Sequence, residues 1–172
     1  MWYLSGAPQP KALDIPNVGF MVTPAMKNKI DFTGITWAAD NGRFSAPEQY
    51  SDGAFLRWLG ERRGAGHCLF ACAPDVLGDP AATLELSIPM FGPIKRSGFQ
   101  AALVAQDGLE RMPVPWWTFD ALFIGGSTEW KLSAGAALLV KEARHRGKWI
   151  HMGRVNSWRR MKYAASIGCD SV

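Results

Sequence analysis

Six short apolar blocks in this sequence run straight into side chains able to move protons or grip polar edges. They are Ala39-Asp40-Asn41-Gly42, Ala73-Pro74-Asp75, Ala105-Gln106-Asp107-Gly108, Ile124-Gly125-Gly126-Ser127, His151-Met152-Gly153-Arg154 and Cys169-Asp170. Carboxylates of this kind suit acid–base or nucleophilic work, and a pair such as Asp40 and Asp75 fits a lyase or glycosidase as readily as a transferase. An amide beside them reads a polar edge, and a glycine pair lets backbone approach a flat ligand closely. Each member also has a structural reading. Asp40 before Asn41-Gly42 fits a turn, Asp75 can cap a helix starting near Asp79, Gly125-Gly126 fits a tight turn, and His151 fits a buried, hydrogen-bonded ring. Cys68 and Cys72 read as core. What favours function is repetition, since independent turns have no reason to place polar groups after successive strands.

The elements that must position these groups follow from periodicity. Strands are expected at Trp2 to Leu4, Gly19 to Thr23, Ile35 to Ala39, Cys68 to Ala73, Ala101 to Ala105, Ala121 to Ile124, Trp149 to Met152 and, more weakly, Cys169 to Val172. Helices are expected from Glu48 to Arg63, from Asp79-Pro80 towards Arg96 with a stop at Gly98, from Ser133 to Arg146 and from Ser157 to Ile167. Apolar strands alternating with amphipathic helices imply a parallel sheet covered on its faces. Eight such units predict one domain, residues 1–172, folded as a small (β/α)8 TIM-type barrel. A typical barrel needs about 250 residues, so the early units should lack full helices, and with Val172 in the eighth strand the last helix should be missing. In that fold catalytic groups gather at the carboxyl ends of the strands, where the polar residues above lie.

Composition narrows the setting. The chain of 172 residues is 48% hydrophobic and 20% charged, which excludes disorder. Cys68, Cys72 and Cys169 match neither a paired disulfide framework nor half a zinc site, so no metal is expected and a reduced, cytoplasmic setting is. The start of the sequence is not expected to be a signal peptide, and no apolar run approaches the roughly 20 residues that span a bilayer. The last 32 residues hold eight Lys and Arg against two acidic residues, a net +6 within an overall +4. Such a patch suits a polyanion, and it suits equally a solvated helix face.

Ala38-Ala39-Asp40-Asn41-Gly42-Arg43-Phe44, Ala73-Pro74-Asp75, Val104-Ala105-Gln106-Asp107-Gly108, Phe119-Asp120-Ala121-Leu122-Phe123-Ile124-Gly125-Gly126 and Gly168-Cys169-Asp170-Ser171-Val172 resemble, in order, the signatures of the tRNA-guanine (queuine) transglycosylase superfamily. The nearer likeness is to its phage branch, associated with 7-deazaguanine modification of DNA, which would place the protein in a host cytoplasm. The resemblance implies a pentosyltransferase without cofactor that exchanges guanine in nucleic acid, DNA ahead of tRNA, for a free 7-deazaguanine through an aspartyl intermediate. By matching positions Asp40 is the base that lines the pocket. Asp75 and Gln106 would bind the guanine edge, Asn41 and His151 would line the substrate site, Gly125 and Gly126 would meet the base through backbone, and Met152 would stack on it.

Two departures from the family pattern bear on this. Asn41-Gly42-Arg43 stands where the family usually has Ser-Gly-Gly. The family's nucleophilic aspartate lies three positions beyond the one matching Asp170, one residue past Val172, so either the sequence is part of a longer chain, or Asp170 takes that role, or the protein is inactive. Arg154, Arg159, Arg160 and Lys162 are expected to hold nucleic-acid phosphates near the mouth. The alternative is a catalytically inactive nucleic-acid-binding or partner subunit of the same fold.

Overall fold

The computed structural model describes residues 1–6, 15–26 and 30–172. Seven strands form one parallel sheet in chain order: β1 (Tyr3–Ser5), β2 (Val18–Val22), β3 (Thr36–Ala39), β4 (His67–Cys72), β5 (Ala101–Ala105), β6 (Ala121–Ile124) and β7 (Trp149–Met152). The sheet closes on itself through Ser171, which bridges His151 on one side and Trp2 on the other. Met152 N donates to Ser171 O at 3.0 Å, Trp2 N to Asp170 O at 2.8 Å and Val172 N to Trp2 O at 2.9 Å. The fold is a small TIM-type barrel. The seven strands lie within one residue of their expected bounds, and the eighth, expected over Cys169 to Val172, is reduced to this bridging segment.

The helices start where side chains can satisfy their free N–H groups. Ser51 opens α1 (Asp52–Gly60), Asp79 opens α2 (Pro80–Arg96), Ser127 opens α3 (Thr128–Lys131), Ser133 opens α4 (Ala134–His145) and Ser157 opens α5 (Trp158–Ile167), each accepting from a backbone N–H three residues on. The helix expected over Glu48 to Arg63 is divided. A 3-10 turn at Pro47–Gln49 ends in extended backbone at Tyr50, and α1 begins afresh behind Ser51. The α3 helix was not expected, because four residues are too few to show a period. Among the described residues no helix lies between β1 and β3, and none is long and apolar enough to cross a membrane.

Alternation along the strands builds two cores. Ala38, Phe70, Cys72, Ala102, Val104 and Ala121 pack inside the barrel with Met21, Phe123 and Trp149. Trp37, Ala71, Leu103, Leu122, Ile124, Ile150 and Met152 face outward against the helices. The three alanines leave room for the large rings. His151 belongs inside with them, its ring 4.5 Å from that of Phe123 and 5.5 Å from that of Phe70. The Ser171 hydroxyl accepts from Trp149 Nε1 at 3.0 Å and is hydrogen-bonded to His151 Nδ1, also at 3.0 Å.

Burial, helped by the charge of Lys131, lowers His151 from 6.5 to about 3. The unfolded chain takes up this proton as pH drops through 6.5, whereas the folded chain refuses it until about 3, so stability falls across that window. His151→Leu should flatten the loss, with urea midpoints at pH 7 and pH 5 differing less in the variant than in the parent.

Candidate active site

A cavity of about 150 Å³ opens at the carboxyl ends of β3 to β7. Asp40 and Asn41 reach it from the end of β3, Cys72 and Asp75 from β4, Val104 and Gln106 from β5, Phe123 and Gly125 from β6, and Arg154 from β7. Phe44 and Leu77, 73% and 52% exposed, stand on its rim. Residues from five strands thus meet at one mouth, as parallel barrels require of a site.

The polar groups are held in a connected set. Asp75 accepts at Oδ1 from Asn41 Nδ2 at 3.3 Å and at Oδ2 from Gln106 Nε2 at 2.8 Å. Gln106 is fixed from behind, its Oε1 accepting from Gly78 N at 3.0 Å. Asn41 Nδ2 also donates to Ala73 O at 3.0 Å, and Arg43 donates to the Asp75 carbonyl at 2.7 Å, so the loop after β3 braces the loop after β4. Asp40 is freer. Its Oδ1 accepts from Gly42 N at 2.8 Å, and its Oδ2 has no protein donor among the described residues.

Burial raises both carboxyls above their ordinary range. For Asp40 the Gly42 N–H pulls the other way. For Asp75 the charge of Asp40 adds to the rise, while Asn41, Arg43 and Gln106 oppose it. Two carboxyls that resist ionisation, side by side in a cleft, are a common mark of a reactive site. Burial also pushes the Cys72 thiol well up, which leaves it an inert floor.

Of the residues expected to bind substrate, the structure brings together Asp40, Asn41, Asp75, Gln106 and Gly125. Gly126 lies just behind. A methyl there would strike Asp107 Oδ1 and sit 2.7 Å from Trp130 Cε3, and one on Gly125 would sit 2.6 Å from Val104 Cγ1. Three expectations are corrected. Met152 does not stack over the cavity, because its position on β7 faces the outer core. His151 faces inward but is buried in the ring cluster below, outside the cavity lining. Asp170 lies away from the mouth, where its Oδ2 accepts from Ile150 N at 2.8 Å. It matches Asp120, whose carboxylate accepts from Ala101 N at 2.9 Å at the start of β5.

Arg154 reaches the mouth, donating to Gly125 O at 2.9 Å and Gly126 O at 3.1 Å. Arg160 donates to Asn156 Oδ1 at 2.8 Å, while Arg159 is exposed on α5 and the Lys162 ammonium lies 5.4 Å over the Trp158 ring. Phe44, Cys72, Leu77, Val104 and Phe123 were not foreseen as lining residues. Stepping back two positions from Gln106 and Gly125 finds Val104 and Phe123, because the strand period is two.

No protein-family model and no curated protein matches the chain. Among solved structures it is similar to a mutant tryptophan synthase alpha-subunit from the hyperthermophile Pyrococcus furiosus, at 16% identity and a TM-score of 0.47 over 82% of this chain and 55% of that one. It is similar also to the tryptophan synthase a2b2 complex of the same organism, at 14% identity and a TM-score of 0.48 over 82% and 56%. The chain spans about half the length of these structures.

Two outcomes follow from the packing. Gly126→Ala should cost about 1–3 kcal/mol in chemical denaturation, since neither Asp107 nor the Trp130 ring can move without repacking. Asn41→Ala should raise the Asp75 carboxyl further, as read by carbon-13 NMR titration of that side chain, because a hydrogen bond to its charged form is lost.

Proposed function

We propose that this cavity exchanges guanine at C1′ of a nucleotide in nucleic acid, DNA ahead of tRNA, for a free 7-deazaguanine. The observation that carries the reading is the meeting of Asp40, Asp75 and Gln106 around one hollow, with Asp40 Oδ2 left without a partner among the described residues. Asp75 keeps lone pairs for ring N–H and amino donors, and Gln106 Nε2 has a second hydrogen for a carbonyl oxygen of the base. Phe44 and Leu77 offer apolar contact to a base drawn out of its stack.

With Asp170 away from the mouth, Asp40 is the carboxylate assigned to the anomeric carbon. Its Oδ2 bonds to C1′ as the bond from C1′ to the base nitrogen breaks, the electron pair leaving with guanine. The departing guanine nitrogen takes up a proton from solvent. The incoming 7-deazaguanine gives up its ring N–H proton as that nitrogen bonds to C1′ and the bond from C1′ to Asp40 Oδ2 breaks, so the two proton transfers cancel and the carboxylate is freed. An anion beside an oxocarbenium-like transition state is the stabilisation such chemistry needs. Preference for DNA rests on the resemblance of the motifs to the phage branch.

The test is incorporation of labelled guanine into DNA, with mass spectrometry of the protein for a covalent adduct. Asp40→Asn should abolish exchange and adduct with the fold intact, and retained exchange would remove Asp40 from the chemistry. Asp170→Ala should keep exchange while costing about 1–3 kcal/mol of stability, because the buried Ile150 N–H loses its acceptor.

A further inference from the structure

Beside the cavity, the loops after β6 and β7 are stapled by cations from both directions. Arg154, of the β7 loop, donates to the carbonyls of Gly125 and Gly126 in the β6 loop. Lys131, at the end of α3, reaches back and donates to Gly153 O at 2.7 Å. Lys131 is only 4% exposed. A buried ammonium is costly unless a carboxylate or another anion faces it. Here none is paired with it. The ion pairs among the described residues are Arg62–Glu61, Lys95–Asp120, Arg111–Glu110 and Arg146–Glu142, and they leave out Lys131, Arg154 and Arg160 alike.

The acidic group that acts on Lys131 is Asp107, and both its oxygens are already taken, by Ser127 N and Ser127 Oγ at 2.6 Å each. Burial first, then the like charges of Arg154 and Arg160, push Lys131 from 10.5 down to about 8. Arg154 is also one of two non-glycine residues among those described that hold a positive φ, 57°, a conformation disfavoured for a side chain of its size, while its guanidinium is held at the mouth by the carbonyls of Gly125 and Gly126.

We propose that this rim is a phosphate subsite, in which Arg154 and Arg160 receive a phosphate group and Lys131 supplies positive charge from behind. Guanidinium groups present paired donors to phosphate oxygens, and an anion seated there relieves the repulsion among the three cations. Arg154 itself lines the cavity, so the group bound lies beside whatever the cavity holds. The nucleic-acid source of that phosphate rests on the reading proposed above; the subsite itself does not. Of the basic residues expected to meet phosphate, it takes in Arg154 and Arg160 and leaves out Arg159 and Lys162.

The experiment is calorimetric titration of the full chain with inorganic phosphate, chloride being matched for ionic strength. The parent should bind phosphate saturably. Arg154→Ala and Arg160→Gln should each weaken it about tenfold, and Lys131→Met should weaken it several-fold. Absence of binding above the chloride control, or equal binding by the parent, Arg154→Ala and Arg160→Gln, overturns the subsite. Arg160 is partly exposed, so Arg160→Gln decides even if Lys131→Met fails to fold.

A second arm uses guanine-containing single-stranded DNA and the same strand with methylphosphonates, which carry no charge, flanking the guanine. If Arg160→Gln weakens only the charged strand, the phosphate is the strand's. If it weakens neither strand while phosphate binding still depends on Arg160, the subsite stands and takes a free phosphate group. Phosphate binding without guanine exchange would retire the exchange reading alone.

Discussion

Closure of the sheet through Ser171 is the constraint on which the rest depends. Once backbone hydrogen bonds run from β7 through Ser171 to Trp2, every strand has one face turned to the axis and one to the helices. That single choice of side sets Ala38, Cys72, Val104, Phe123 and His151 inside and Trp37, Leu103, Ile150 and Met152 outside. It also sets what the strand ends deliver to the mouth, since Gln106 and Gly125 continue the inward rows of Val104 and Phe123. The interior can close this tightly because small residues from several strands make room for Phe70, Phe123, Trp149 and His151.

Much of this was legible in the sequence, and the parts that were not share a cause. Strand positions were readable because the strands are short apolar blocks between turn residues, and helix starts at Asp79, Ser133 and Ser157 were readable because capping side chains announce them. The mouth residues Asp40, Asp75 and Gln106 were found by looking only at strand ends. What pattern alone did not supply was side and depth. His151 and Met152 are neighbours in one apolar strand, and nothing in composition says which faces the axis; a one-residue change of register exchanges them. Asp170 follows an apolar residue just as Asp40 does, yet it precedes the bridging Ser171 instead of following a strand, and so it satisfies a backbone N–H well short of the mouth. The division of the helix expected over Glu48 to Arg63 turned on Ser51, a cap hidden inside a helical period.

The site and the rim beside it handle charge in opposite ways. Asp40 and Asp75 are two like charges brought together under burial, and protonation is the response open to them. Lys131, Arg154 and Arg160 are like charges of the other sign; the two guanidinium groups keep their protons, and the Lys131 ammonium is the member whose charged form burial and the other two weaken. Carboxyls in the hollow and cations on its rim are the pairing that the proposed reading uses, the first for N–H donors of a base and the second for a phosphate.

The Gln106 amide shows how far such polarity is fixed by backbone. Gly78 N–H occupies its oxygen and Asp75 takes one of its hydrogens, so turning the amide over would set N–H against N–H and oxygen against oxygen at once. Gln106 therefore behaves as a one-way valve for hydrogen bonding. Whatever fills the hollow must bring a lone pair to that spot.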